Sequence, residues 1–315
     1  MNSNETLLDS IEPEIAERLA TSANEIAQGR TTSSVVGAGL AMASVPIALA
    51  ALARDAGAQT SSAVTDILSF ALKLEIFENE FYKAVLGTSS SAAQNTAFAT
   101  VRALVPATAL PTLQTIQKHE AAHVAFLLSQ GAVNDLNLTA DSFDFTGGRG
   151  SGTGPFAQAT TNLQFLLLVT QAAEDTGVRA YKGQAPGLQT AGNLPALEAA
   201  LRIHSVEARH AAKIRRIRRQ TGAPATVRYS GTVSGGDAAA AGADNVANVP
   251  AAAVTAMGQI YVRENNTTQL TVNTSTLPNL PSNITANAAS EAFDEPLTRA
   301  EVVAIVQGFF KATLS

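Results

Sequence analysis

The chain contains no cysteine, and only 15% of its 315 residues are charged. Without cysteine there are no disulfides, no thiolate metal sites and no cysteine nucleophile; the absence fits reducing and oxidising compartments alike. A charged fraction well below the usual quarter indicates a surface that packs against other chains or against the chain's own tail. The formal net charge of −5 is unfavourable for a nucleic-acid partner, which would need a basic patch.

The first sixty residues combine an acidic helical pattern with an uncharged apolar run. Residues 1–30 show helical spacing, and residues 31–53 carry no charge. Arg30 precedes the run and small residues follow it at 56–58, an arrangement typical of an export signal. The alternative is a small-residue helix that packs within the protein or against a neighbour. We therefore expect either an exported protein, periplasmic or extracellular, or a cytoplasmic one that retains the segment for packing.

Residues 61–222 carry four patterns that predict helices, over about 62–87, 111–130, 156–181 and 195–221. The third is apolar nearly all round, as a buried helix should be. A long connection separates the second helix from the third. Its glycine-rich part fits no phosphate-binding pattern, because no strand precedes it, so we interpret it as a crossover loop. This region predicts an all-α fold.

Residues 223–315 are rich in Ala, Gly, Asn, Thr and Pro. Two stretches, 226–230 and 260–263, are compatible with short strands or extended coil. Thr298 and Glu301 have the spacing of a capping box, which predicts a helix over 302–311. We interpret this part as a mostly irregular tail that wraps around residues 61–222 and ends in a short helix, rather than as a second domain.

The candidate site is a repeat of acidic residues, tyrosine and histidine in the four helices. A Glu precedes a Tyr by seven residues in the first and third helices, and the second and fourth contain Glu-x-x-His. Residues three positions apart share one face of a helix, so this Glu and His can point at the same place. In chain order the repeat comprises Glu75 and Tyr82, Glu120 and His123, Glu174 and Tyr181, and Glu207 and His210.

Four carboxylates inside an apolar bundle would each lose several kcal/mol of hydration and would repel one another. Two divalent cations would bring four positive charges and so offset the four negative ones. Carboxylates can bridge two ions, and each imidazole can bind one. Oxygen and imidazole ligands suit Fe or Mn and tolerate Zn. Tyr82 and Tyr181 lie two turns along from the Glu of their own helices, and we expect them to donate hydrogen bonds beside the ions.

Four other ionisable residues in these helices have no counterpart in the repeat. Glu78 and Glu80 share the first helix with Glu75, but the third helix has no acidic residue at the matching positions. We therefore expect both to be solvated. His119 and His204 also lack counterparts, and an unmatched histidine is typically an ordinary surface or core residue.

The order Glu, Glu-x-x-His, Glu, Glu-x-x-His resembles that of the ferritin-like superfamily, whose di-iron and di-manganese bundles use this ligand set. Within it, the chain is similar to the desiccation-related ferritin-like proteins of bacteria and plants. The closer resemblance rests on residues 144–148 (Asp-Phe-Thr-Gly-Gly), 152–155 (Gly-Thr-Gly-Pro) and 291–298 (Glu-Ala-Phe-Asp-Glu-Pro-Leu-Thr). An export segment ahead of the bundle is also similar, although the twin arginine of many bacterial members is absent.

The resemblance implies a ferritin-like four-helix bundle with a long crossover between helices 2 and 3. It implies no settled activity. From the ligand set we expect two divalent ions, Fe first and Mn or Zn as alternatives, that react with O2 or peroxide in stress protection. The expected roles are terminal ligands for Glu75 and Glu174, bridging ligands for Glu120 and Glu207, and capping ligands for His123 and His210. Ferroxidase-like oxidation is the first expectation, and manganese-catalase-like peroxide disproportionation the second. The alternative is a non-catalytic scaffold in a homo-oligomer or larger assembly.

Overall fold

The computed structural model describes residues 62–222, 251–282, 284–290 and 292–314. The predicted helix and export-type run within 1–60, and the possible strand at 226–230, lie outside the described residues. The described part is mostly helical, which confirms the predicted all-α fold. None of the helices in these ranges is both long enough and apolar enough to cross a membrane.

Four long helices form the bundle. In chain order the elements are α1 (Ser62–Leu86), the short α2 (Ala92–Ala97) and α3 (Ala99–Arg102), α4 (Leu110–Ser129), α5 (Leu163–Thr190) and α6 (Leu194–Gln220). Helix α1 packs mainly against α4 and α5 mainly against α6, and α1 also contacts α5. The long connection between α4 and α5 is the predicted crossover. The bundle thus consists of two helical hairpins placed side by side.

Local sequence explains where these helices begin and end. Asn162 and Asn193 cap α5 and α6, each accepting a backbone N–H of the first turn at 3.0 Å. Helix α1 ends before Gly87, whose φ of +78° glycine adopts without steric cost. The guanidinium of Arg102 then donates to two carbonyls of the last turn of α1 at 2.8 and 2.9 Å. These bonds satisfy carbonyls that a helix end leaves without partners.

Helix α5 differs from the prediction of 156–181. A separate 3-10 turn forms at Ala157–Thr160, and the α-helix begins only after the cap at Asn162. The helix also runs to Thr190, through Pro186. Proline removes one backbone hydrogen bond near the end of the helix, but Leu188 beyond it is 1% exposed, and its burial favours the extra turns.

The crossover between α4 and α5 is organised by the carboxylate of Asp144. This side chain accepts bonds from the backbone N–H of Thr146 (3.0 Å), Gly150 (2.8 Å) and Gly152 (3.0 Å). Burial alone would raise the pKa of Asp144, but these bonds and that from the Thr146 hydroxyl lower it below its usual value. The loop amides are thus occupied internally, which agrees with a crossover loop rather than a phosphate site.

The remaining described elements are α7 (Ala251–Ile260), strands β1 (Thr268–Gln269) and β2 (Val272–Asn273), α8 (Ala286–Ser290) and α9 (Arg299–Val306). The strands form one antiparallel pair with Thr268 opposite Asn273. The expectation of a short strand or extended coil at 260–263 is wrong. Ile260 instead continues the buried stripe of Ala253 and Met257 at helical spacing, and a turn follows it.

Helix α9 begins at the predicted capping box. The Thr298 hydroxyl accepts the Glu301 N–H at 3.3 Å, and the Glu301 carboxylate accepts the Thr298 N–H at 2.7 Å. The α-helix is shorter than predicted, because a 3-10 turn at Gln307–Phe309 replaces its last part. Helices α7 and α9 contact each other and α5, so α5 is covered on the face opposite to its bundle neighbours.

A buried arginine ties the tail to α5. The side chain of Arg179 donates to the backbone carbonyls of Val262 and Glu295, at 2.5 Å each, and its Nε lies 3.0 Å from Glu264 Oε1. Arg179 is 1% exposed. Burial raises the pKa of Glu264 to about 7 although Arg179 acts to lower it. The contact of α5 with the tail therefore includes the buried ion pair of Arg179 and Glu264, and loss of either side chain would leave the other without its opposite charge.

We predict that Arg179→Leu destabilises the protein by about 3–5 kcal/mol, because it leaves Glu264 buried without its counter-charge. Urea unfolding followed by circular dichroism measures the change. The matched control is Arg202→Leu, which breaks the solvent-exposed pair with Glu198 and should cost less than about 1 kcal/mol. Equal losses in the two variants would contradict a structural role for the buried pair.

Candidate metal centre

The structure brings all six predicted ligand residues together inside the bundle. Each is at most 3% exposed. The two residues of each Glu-x-x-His pair occupy the same face of their helix, so α4 and α6 each present a carboxylate and an imidazole to the interior. The cluster contains Glu75 of α1, Glu120 and His123 of α4, Glu174 of α5, and Glu207 and His210 of α6.

The first group of donor atoms surrounds Nδ1 of His123. Oxygens of three glutamates lie near this nitrogen: Glu75 Oε2 at 3.1 Å, Glu120 Oε2 at 3.1 Å and Glu207 Oε1 at 3.2 Å. They come from α1, α4 and α6. One atom from each of these four residues can be chosen so that all lie within 4.8 Å of one another.

The second group surrounds Nδ1 of His210. Here the nearest carboxylate oxygens are Glu120 Oε1 at 2.8 Å, Glu174 Oε2 at 3.3 Å and Glu207 Oε2 at 3.8 Å. Glu120 and Glu207 therefore contribute to both groups, with a different oxygen in each. Glu75 contributes only to the first group and Glu174 only to the second.

The spacing of the donors suits a cation. Two ligand atoms about 2.1 Å from one ion and at right angles to each other lie about 3.0 Å apart, close to the distances within both groups. Several buried donor atoms also lack a hydrogen-bond partner among the described residues: Glu120 Oε1, Glu174 Oε2, both oxygens of Glu207, and His210 Nδ1. The 2.8 Å approach of Glu120 to His210 is short enough for a hydrogen bond but is misaligned for one. Buried polar atoms are rarely left in this state, so they are available to bind a metal.

The two predicted tyrosines bind across the bundle. The hydroxyl of Tyr82 on α1 donates to Glu174 Oε1 on α5, and that of Tyr181 on α5 donates to Glu75 Oε1 on α1, the latter at 2.5 Å. Burial and the neighbouring carboxylates raise the pKa of both tyrosines well above the usual value, so both remain donors. Each bond occupies one oxygen of a glutamate and leaves the other facing a histidine.

With no ion bound, the pKa values of the cluster diverge. Burial raises the pKa of Glu75 and that of Glu174 to about 8. Burial would also raise that of Glu120, but His210 and His123 bring it below its usual value. The pKa values of both histidines lie well above normal despite burial, because carboxylates surround them. These directions favour protonated histidines beside Glu120 and Glu207 and proton-bearing carboxyls at Glu75 and Glu174 near pH 7.

The prediction that Glu78 is solvated is wrong. Glu78 is 4% exposed, and burial together with repulsion from Glu207 and Glu174 raises its pKa well above the usual value. A methyl group at Gly177 would lie 3.4 Å from Glu78 Oε1 and 3.2 Å from Glu207 Oε2. Glu78 is therefore a fifth carboxylate beside the cluster. Its spacing of three residues from Glu75 was the available signal.

Glu80 is also buried rather than solvated, at 8% exposed, but it lies outside the cluster and accepts bonds from Lys83 and Asn79. His204 is an ordinary half-buried histidine, with Nδ1 2.8 Å from the carbonyl of Val178. His119 was also expected to be an ordinary histidine, but its Nδ1 lies 2.9 Å from Nε2 of His210. Burial is the main reason why its pKa falls to about 4.

Fold and site together define a four-helix bundle with a buried glutamate and histidine cluster that can bind metal. The family description "ferritin-like domain" matches residues 63–220, which is half of the chain. The chain belongs to this ferritin-like family. Searches of the curated proteins and of the solved structures found no match.

We predict that the metal-free protein loses stability as the pH rises from about 5 to 8. Glu75 and Glu174 hold protons in the folded state that the unfolded chain has lost above its ordinary glutamate pKa, and His123 and His210 add to the loss above about 6.5. Each such proton lowers the unfolding free energy by about 1.4 kcal/mol per pH unit. Thermal melts across this pH range measure the effect. A metal-free melting temperature that rises towards pH 8 would contradict it.

We also predict that loading two divalent ions at pH 7 releases about four protons, since Glu75, Glu174, His123 and His210 must all be deprotonated to bind. Calorimetry in buffers of different ionisation enthalpy counts these protons. Release of about two or fewer would show that the terminal glutamates are already ionised or do not bind.

Proposed function

We propose that the protein binds two iron or manganese ions in this cluster and uses them to react with O2 or peroxide, with ferroxidase-like oxidation as its main activity. The observation that carries the proposal is that two carboxylates belong to both groups of donor atoms. Glu120 and Glu207 each direct one oxygen towards Nδ1 of His123 and the other towards Nδ1 of His210. In this proposal Glu120 and Glu207 would be the ligands that the two ions share.

The other residues have matching roles in the proposal. Glu75 and Glu174 are terminal ligands, each with one oxygen held by a tyrosine and the other facing a histidine. His123 and His210 complete the two ion positions. A donor set of carboxylate and imidazole without thiolate suits Fe or Mn, and it also accepts Zn. Bound iron would supply the electrons for the oxidation, in which two Fe(II) would give two Fe(III) and one O2 would take up two electrons and two protons to form H2O2.

The burial of Glu78 beside the cluster favours a redox role for the bound metal over a purely structural role. The four ligand glutamates already offset the charge of two divalent ions. A fifth buried carboxylate at Glu78 would oppose part of the charge that the centre gains when each ion loses an electron. With manganese, the same donor set would suit peroxide disproportionation, which is the second activity that we propose to test.

The physiological role that we propose is protection against oxidative or drying stress. It is supported by the resemblance of residues 144–148, 152–155 and 291–298 to the desiccation-related proteins. Export and homo-oligomerisation remain predictions from the sequence.

We predict about two ions per chain after metal removal and anaerobic reloading with Fe(II) or Mn(II), measured by elemental and native mass spectrometry. Glu120→Gln and Glu207→Gln keep the side-chain shape but remove a bridging charge, so each should bind about one ion or fewer. The matched control is Glu198→Gln, an α6 residue in an exposed pair, which should bind as the unaltered protein does.

Admission of O2 to the iron-loaded protein should then produce Fe(III) absorbance together with H2O2, and both signals should be strongly reduced in Glu120→Gln. Peroxide consumption by the manganese-loaded protein tests the second activity. Two results would sink the proposal: a folded protein that retains no ion, or bridging variants that bind two ions with unchanged affinity.

A further inference from the structure

His119 links the cluster to the outside of α4. Its Nδ1 lies 2.9 Å from Nε2 of His210, and the two rings meet edge to edge, with centroids 5.2 Å apart and planes inclined by 20°. The side chain of His119 is half-buried, whereas His210 is 3% exposed. His119 therefore contacts the outer nitrogen of a proposed ligand, on the side away from the glutamates.

The direction of this hydrogen bond follows from the inner nitrogen of His210. Nδ1 of His210 faces Glu120 at 2.8 Å and Glu174 at 3.3 Å. An ion bound among these atoms needs Nδ1 without a proton, so the proton of the neutral ring lies on Nε2. Nε2 then donates to Nδ1 of His119. A bond of this kind fixes both the tautomer and the ring orientation of a metal-binding histidine.

The other half of the cluster lacks such a bond. Nε2 of His123 is buried and has no hydrogen-bond partner in the part of the chain that the structure describes. The repeat explains the difference, because His119 precedes Glu120 whereas Val206 stands at the matching position before Glu207. A valine side chain offers no acceptor. The two halves have the same types of proposed ligand. Among the described residues, the outer nitrogen of His210 has a hydrogen-bond partner and that of His123 has none.

We propose that His119 is a positioning residue that makes the two ion positions unequal. By holding the ring of His210, it strengthens the position beside Glu174 relative to that beside Glu75, so the His210 position fills first. The inference rests on the metal binding proposed above. Partners of metal-binding histidines typically change metal affinity by about 10–100-fold, which sets the size of the effect.

The experiment is an anaerobic titration of the metal-free protein with Co(II), followed by calorimetry and by visible absorption. We expect two binding steps in the unaltered protein. His119→Leu removes the acceptor and should weaken the tighter step by about 10–100-fold while leaving the weaker one unchanged. His119→Asn places an amide oxygen near the former Nδ1 and should recover most of the loss.

The matched control is His204→Leu on α6. It removes a histidine hydrogen bond to a backbone carbonyl at 2.8 Å, but that bond does not involve any of the proposed ligands. Both Co(II) affinities should remain unchanged in this variant. A general effect of losing a half-buried histidine would instead appear equally in the two leucine variants, and that result would overturn the proposal.

The tautomer can also be measured without any substitution. Nitrogen-15 NMR of the histidines in the Zn(II)-loaded protein should show His210 with its proton on Nε2 and a coupling across the hydrogen bond to Nδ1 of His119. Absence of that coupling would overturn the proposal even if His119→Leu does not fold. Two unchanged binding steps in His119→Leu, or a proton on Nδ1 of His210, would overturn the inference alone. An unaltered protein that binds neither Co(II) nor Zn(II) would overturn the proposed function as well.

Discussion

The burial of five glutamates in one small interior region is the constraint on which the rest of the structure depends. Each carboxylate loses hydration there and repels the others, and burying a charge of this kind is unfavourable unless an opposite charge or hydrogen bonds accompany it. The bundle supplies two imidazoles and two phenols to the same place. These five residues are Glu75, Glu78, Glu120, Glu174 and Glu207, none more than 4% exposed.

Four separate helices must present their donors at one level, and all four are long, between 20 and 28 residues. Helix α5 is buried on most of its surface, since α7 and α9 cover the face that the bundle does not. Arg179 on that outer face binds backbone groups of the tail while Glu174 and Tyr181 on the inner face belong to the cluster. One helix thus joins the packing of the tail to the geometry of the site.

The clustering of the six proposed ligand residues was predictable because it depends on periodicity rather than on helix ends. Helix α5 begins and ends several residues later than expected, yet Glu174 and Tyr181 keep their spacing of seven and their face. The box at Thr298 was predictable for a similar reason, since both partners are local in sequence. In contrast, α7 was not predicted, although its alanines and the helical spacing of Ala253, Met257 and Ile260 favour a helix. It packs against α5 and α9.

The sequence prediction placed Glu78 and His119 outside the site because it rests on a symmetrical repeat in which neither residue has a counterpart. The structure is asymmetrical at both positions, for reasons that involve other helices. Gly177 leaves room on α5 beside the Glu78 carboxylate, and His119 reaches across to a histidine of α6. Such contacts join residues far apart in sequence. Spacing within one helix, such as that of Glu75 and Glu78, indicates a shared face but not the partner on another helix.

The sharing of Glu120 and Glu207 has a consequence for the order in which the protein is made. The first hairpin, α1 with α4, emerges from the ribosome with three of the donors of the first group, Glu75, Glu120 and His123. The fourth donor belongs to α6, the last helix of the bundle to be synthesised. Neither hairpin alone encloses a complete group, so a nascent chain offers only open and partly hydrated sites. Tight retention of an ion would therefore begin only when the second hairpin docks, and the last bundle helix would complete both proposed positions at once.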